Sequence, residues 1–215
     1  MTESAASKAY ASDVAFTTSV KAVQARKGSR SAMAAMEKQG SWQTRITPDL
    51  AAFIEAQTSV FFATASKDGQ PYIQHRGGPA GFLKVLDEKS IGFADFAGNR
   101  QYISIGNLAE NPKVHLFLID YVNRQRVKIW GEARVIESEP ELLKRLMPEK
   151  YRARPEQVLL FTVAAWDANC PQHIPQRFDA TDVAATLTEQ AHRIAALETE
   201  LSRLQVEISR REVNL

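Results

Sequence analysis

Three short stretches of the chain carry side chains able to bind or orient a ligand. The first, QHRGGPAGFLK at 74–84, sets Gln74, His75 and Arg76 ahead of two glycines and a proline, so exposed main-chain groups and a cation meet at one place. That combination suits an anionic ligand, or equally a tight surface turn with an incidental Arg. The second, FADFAGNRQY at 93–102, ends a strand pattern and opens a helix pattern. There Asn99, Arg100 and Gln101 sit beside main-chain N–H groups and a helix N-terminus, which together can converge on a phosphate. A solvated strand-to-helix loop is the other reading of the same residues. The third, WDANCPQHIPQR at 166–177, is rich in Trp, Asn, Gln and His. Trp166, Asn169 and Gln172 are residue types that cover a flat heteroaromatic ring and bond its polar edge.

Other chemistries find less support. Cys170 and His173 form a pair three residues apart, but His75, His115 and His192 lack ligand spacing, so a structural cysteine beside Pro171 is favoured over a metal or thiolate site. A single cysteine also excludes an intramolecular disulfide and a four-cysteine metal site. The chain contains no Gly-x-Ser-x-Gly, P-loop or His-Glu-x-x-His pattern. A formal net charge of +2, with basic residues scattered among acidic ones, argues against a nucleic-acid or membrane-surface partner. No apolar run approaches the ~18 residues of a membrane span, and no targeting signal is readable, so the expected compartment is the cytoplasm.

The elements that must position these residues follow from periodicity. Residues 14–39 predict one or two short helices interrupted at Gly28-Ser29, and a further helix starts at Thr47, a favoured N-cap followed by Pro48. From residue 59 the period shifts to two. SVFFATA, QPYIQHR, GFLKVL, SIGFADF, KVHLFLIDY, RVKIWGEARVIE and QVLLFTVAAW read as strands, the first two joined through an Asp-Gly turn. YISIGNLAE predicts a short helix closed by Asn111-Pro112, and Ser138 with Glu141 predicts a capping box for another. Mostly antiparallel strands with helices outside them point to a mainly β, α+β chain built on a closed or nearly closed barrel.

The last segment differs in kind. Val183, Leu187, Gln190, Ile194, Leu197, Leu201, Leu204 and Ile208 follow alternating steps of four and three. This is a heptad seam, expected either to lie on the barrel as an amphipathic helix or to form a coiled coil between subunits, the latter favoured by its regularity. The division expected is 1–55 for an N-terminal helical segment, 56–178 for the barrel and 179–215 for the C-terminal helix.

Taken in order, GFLKVLDEKSIGFADF, GNRQ, YISIGNLAENP, KVHLFLIDY and NRQRVKIWG resemble the FMN-binding module of the pyridoxamine-5'-phosphate oxidase family, best over about residues 59–137. The resemblance implies a split β-barrel homodimer holding FMN across the subunit interface. It places the family's phosphate-binding Arg on Arg100, with Gln101 where Lys is usual. Lys84 matches the lysine that approaches the cofactor, and Ala94 and Asp95 match the strand-end pair beside the ring and ribityl chain. Arg126 stands where the family has Gln, and Pro79 where it has an Arg that Arg76 would replace. WDANCPQHIP looks like an uncharacterised branch of the FMN-binding relatives, which brings Trp166, Asn169 and Gln172 near the ring. The vitamin B6 oxidases end in a strand bearing Trp and Arg, whereas this chain ends in the heptad helix, so their activity is not carried over. The resemblance leaves an FMN-dependent oxidoreductase, using NAD(P)H or a small-molecule substrate, as the leading expectation. A non-catalytic flavin-binding or sensor protein, and a haem- or deazaflavin-binding relative, are the alternatives.

Overall fold

The computed structural model describes residues 10–40, 42–169 and 171–213. A 3-10 turn at Ala11–Val14 leads to α1 (Thr18–Arg26) and α2 (Arg30–Lys38), which part where Gly28 takes a φ of 80°. Only glycine reaches that conformation freely, which explains the break predicted there. The Glu37 carboxylate of α2, almost wholly buried, accepts from Ser12 Oγ at 3.3 Å and pairs with Arg30, tying these segments together. α3 (Pro48–Ala56) begins as predicted: Thr47 Oγ1 accepts from the Leu50 N–H at 3.3 Å, and Leu50 and Ile54 turn inward.

The remaining elements of the core unit are β1 (Ser59–Ala65), β2 (Pro71–Gly77), β3 (Lys84–Val85), β4 (Ser90–Phe96), α4 (Ile103–Glu110), β5 (Lys113–Asp120), β6 (Gln125–Ile136), α5 (Pro140–Leu146) and β7 (Pro155–Asn169). The strands form one antiparallel sheet in the order β2-β1-β5-β6-β7-β4-β3. Its edges, β2 and β3, do not pair with each other, so the barrel is split between them. Cross-strand partners share a face. Phe62, Leu116 and Ile129 are successive partners and lie in the core with Phe93 and Phe161, covered by α3. Phe61, Phe117 and His75 occupy the other face of the same strands.

Three local predictions differ from the structure. GFLKVL pairs only at Lys84–Val85, because the chain turns before it: Phe82 N donates to Pro79 O at 3.0 Å, and its ring covers Gly78, where a Cβ would meet it at 2.8 Å. The helix expected to be capped by Ser138 starts instead at Pro140, with Glu139 at the N-cap and no capping side chain. Proline fixes the first helical φ, which outweighs a cap two residues earlier. β7 runs past Trp166 to Asn169, so the start of the third polar stretch is strand.

A second compact unit comprises Tyr121–Asn123 and Ile174–Leu215. Within it the Arg177 guanidinium lies 4.6 Å from the Tyr121 ring centroid, and Gln176 Nε2 donates to Val122 O at 2.9 Å. Its main element is α6 (Ala180–Val213), 34 residues long. Among the described residues no helix is long and apolar enough to cross a membrane.

Candidate functional site

β4 leaves the barrel at Asp95 and Phe96, where its register against β7 shifts. The loop that follows is built by its own side chains. Asn99 Oδ1 accepts from the Gln101 N–H at 3.2 Å, and both Arg100 (φ 59°) and Tyr102 (φ 54°) adopt the left-handed conformation. For residues with a Cβ each such position costs about 1–2 kcal/mol, a strain found where a site holds its backbone in a set form. The loop delivers the chain into α4, whose N-cap residue, Tyr102, has no side-chain bond to the helix's N–H groups. The first N–H groups of α4 therefore lack a capping side chain at the positive end of the helix dipole.

That helix end opens on a small solvent-facing recess, about 30 Å³, lined by Gln74, Arg76, Asp95, Phe96, Gly98, Asn99, Arg100, Tyr102, Ser104, Ile105 and Glu156. The geometry thus brings together five of the residues singled out from the sequence, Gln74, Arg76, Asp95, Asn99 and Arg100. Ser104 Oγ donates to Gln74 Oε1 at 3.1 Å, linking α4 to β2, and the Tyr102 hydroxyl reaches Glu156 Oε2 at 3.5 Å. At the back of the recess Asp95 is 5% exposed. Burial raises its carboxyl above the ordinary carboxylate range; the Arg76 charge and a 2.9 Å bond from Gln157 Nε2 oppose the rise, and the Glu156 charge adds to it. Arg76 Nε stands 3.0 Å from Asp95 Oδ1 without an aligned hydrogen bond between those two atoms, and the bond of the pair runs instead from Arg76 Nη2 to Asp95 Oδ2 at 3.4 Å. The Arg100 guanidinium, the Asn99 amide and the uncapped N–H groups give this helix end donors of the sort that bind a phosphate, while the Asp95 and Glu156 carboxylates lie on the same lining.

The other sequence candidates lie elsewhere. His75 points to the opposite side of β2, its ring 5.9 Å from Phe61. Ala94 packs with Leu146 and Val158 under α5, Lys84 pairs with Gly92 on the edge strand, and Gln101 bonds to Asn99. Arg126 pairs with Ile119 and, across β6 and β7, with Asn169. The Trp166 indole N–H donates to Arg45 O at 2.8 Å, latching the chain before α3 to β7. Gln172 is exposed, as is His173 at φ 65°. Cys170 and the side chain of Asn169 lie outside the described residues. Among the described residues no cluster of three His, Cys, Asp or Glu side chains could hold a metal. Along β7, twelve residues separate Gln157 at the recess from Asn169 beside Arg126, about 40 Å of extended chain. The two polar sets of one chain therefore sit at opposite ends of its longest strand.

Sequence reading missed Tyr102, Ser104, Glu156 and Gln157. Ser104 carried a usable signal, a hydroxyl in the first turn of a helix aimed at a candidate phosphate. Glu156 and Gln157 carried none, because only the pairing of β4 with β7 brings them to Asp95.

No curated protein matches the chain in sequence. Solved structures similar to it include HupZ of Group A Streptococcus, 18% identical with a TM-score of 0.48, covering 62% of this chain and 99% of that one. An FMN-binding protein from Syntrophomonas wolfei is 13% identical with a TM-score of 0.45, covering 68% of this chain and 97% of that one. General Stress Protein 26 of Bacillus anthracis is 19% identical with a TM-score of 0.40, covering 54% and 87%. The family model described as pyridoxamine 5'-phosphate oxidase matches residues 46–170, a span that contains the whole sheet and every residue of the recess, and the chain belongs to that family.

Proposed function

We propose that this protein is a flavoprotein that binds FMN in a homodimer and uses it as an oxidoreductase on a small molecule. One observation carries the reading: the uncapped start of α4, Arg100, Asn99 and Ser104 face a single recess. The fit to an FMN phosphate rests on the chemistry of that donor set. Arg100 and the α4 N–H groups would hold the dianion, Asn99 would orient it, Ser104 would hold Gln74 in place, and Gln74 and Arg76 would reach the adjoining chain of the cofactor. When bound, the flavin supplies the capacity to accept and pass on electrons. Arg126 or Lys84 would supply positive charge at the pyrimidine edge of the ring.

The dimer is supported by two features of one chain. Arg126, Trp166, Asn169 and Gln172 join the recess residues only if a second copy brings them. The outer face of β1, β2 and β5 carries half-buried Phe61 and Phe117 beside Ile73, which is 60% exposed. Such aromatic surface is typical of an interface core. A single phosphate cluster, with no G-x-G-x-x-G beside it, favours FMN over FAD.

The test is the visible spectrum of the purified protein, followed by titration with FMN and FAD and by anaerobic addition of NADH or NADPH. Flavin absorbance that bleaches with a reduced nicotinamide is expected. A bound flavin that no reductant bleaches would leave a binding protein without this activity. A colourless chain that takes up no FMN, or one with a haem spectrum, would overturn the reading.

A further inference from the structure

We infer that α6 pairs with α6 of a second copy of this chain as a parallel, in-register, two-stranded coiled coil. The inference does not rest on the cofactor. α6 spans 34 residues, about 50 Å, and its seam is open from Val183 to Ile208, about 38 Å. Val183, Leu187, Ile194, Leu197, Leu201, Leu204 and Ile208 are each between 42% and 63% exposed. A stripe of this length is the kind of apolar surface that soluble proteins cover.

The occupant follows from which residues fill which layer. The steps of four and three put Leu187, Ile194, Leu201 and Ile208 at the heptad a positions, and Val183, Gln190, Leu197 and Leu204 at d. From Ile194 onward, isoleucine at two of the three a positions (Ile194, Ile208) with leucine at both d positions (Leu197, Leu204) favours two strands over three or four. Gln190 decides orientation. In a parallel pair with matching register its amide meets the same amide of the second copy, and donor finds acceptor. In an antiparallel pair d faces a, so Gln190 would oppose an aliphatic side chain and be buried without a partner. A foreign helix with an apolar seam leaves the same gap.

The flanking charges agree. In the parallel register a g residue faces the e residue five positions on in the other chain. Arg193 then meets Glu198, while Thr186 faces Ala191 and Glu200 faces Gln205, both without conflict. Within its own helix Glu200 is held by Arg203 at 2.6 Å. In the last turn Arg211 binds Glu207 of the same helix at 2.6 Å.

The full-length protein provides the test. In a Cys170→Ser background, Ser209→Cys on the outer side of the helix takes a spin label, and the label-to-label distance is measured by pulsed EPR. A single narrow distance of roughly 20–30 Å is expected, since two packed helices are ~10 Å apart and the labels add their own length. A distance beyond about 40 Å would mean an antiparallel pair, because residue 209 lies some 20 Å from the centre of the seam in each helix. Absence of dipolar coupling would mean that something other than a second copy covers the stripe. Either outcome overturns the inference.

Register is checked separately with Arg193→Glu and Glu198→Arg. Each variant alone should broaden the distance distribution, and an equimolar mixture should restore the narrow distance, since each chain then meets its complement. Failure of the mixture to restore it would place these residues off the facing positions and refute the register.

Discussion

Arg100 sits at a φ of 59° with its side chain on the recess, so two effects of changing it need separating. Alanine also has a Cβ and suffers about the same left-handed penalty, hence Arg100→Ala isolates the guanidinium, whereas Arg100→Gly would also relax the loop. Loss of a charge-assisted hydrogen bond should cost about 1.5–3 kcal/mol, or roughly one to two decades in FMN affinity. Fluorescence titration at fixed ionic strength reads this out, and an unchanged dissociation constant would put the phosphate elsewhere. His115 poses a different question. Its ring stacks edge-on against Trp130 at 4.9 Å, and burial, then the Lys128 charge, lowers its pKa from 6.5 to about 4. A histidine whose folded pKa is depressed binds its proton more readily when unfolded, so the native state is favoured above pH 6.5 and loses that advantage as pH falls toward 4. The loss is at most about 3 kcal/mol and smaller to the extent that solvent screens the ring. Melting temperatures of the wild type and His115→Asn across this window should converge at low pH; parallel curves would refute the assignment.

Among the elements, the β6–β7 ladder depends most on one residue. Between Trp130↔Ala165 and Gly131↔Val163 the register slips at Ala164, and a Cβ on Gly131 would lie 2.0 Å from Thr162 O and 2.8 Å from the Phe161 ring. The obstacle is backbone of the paired strand, which cannot rotate away as a side chain would. Gly131→Ala should destabilise by about 3 kcal/mol, lowering the melting temperature by roughly 6–12 °C, and an unchanged thermal scan would contradict the pairing. The bulge also shows where the sequence stopped being legible. Alternation identified β1, β4, β5 and β6 to within a residue, and the Thr47 cap and Asp-Gly hairpin were readable because their causes are local. The bulge was not, since it exists only relative to the facing strand. Neither was the extension of β7 through Trp166 to Asn169, where polar residues disguise a strand held by β6 on one side and by the segment around Gln43 on the other. The recess divides in the same way: Asn99 and Arg100 announce themselves beside a helix start, whereas Glu156 reaches it through pairing between strands about sixty residues apart in sequence.

At the scale of the whole molecule, the proposed site is composite, and this can be tested without a structure of the dimer. Arg100 lies at the recess end of the barrel, and Arg126 pairs with Asn169 at the far end of β7. If both serve one FMN, they come from different subunits, because they lie at opposite ends of β7 in one chain, and a two-fold interface that brings one end to the partner's other end does so twice. Homodimers of Arg100→Ala and of Arg126→Ala should then each bind FMN weakly at both sites. Co-expression of the two variants produces mixed dimers in which one site carries both substitutions and the other carries neither. With random assortment about half the dimers are mixed and half of their sites are intact, so roughly a quarter of wild-type tight FMN binding should return. Had both arginines come from the same chain, every site would carry one substitution and no tight binding would reappear. Calorimetric titration of the co-expressed protein distinguishes these outcomes, and recovery well above a quarter would mean that Arg126 has little part in the site.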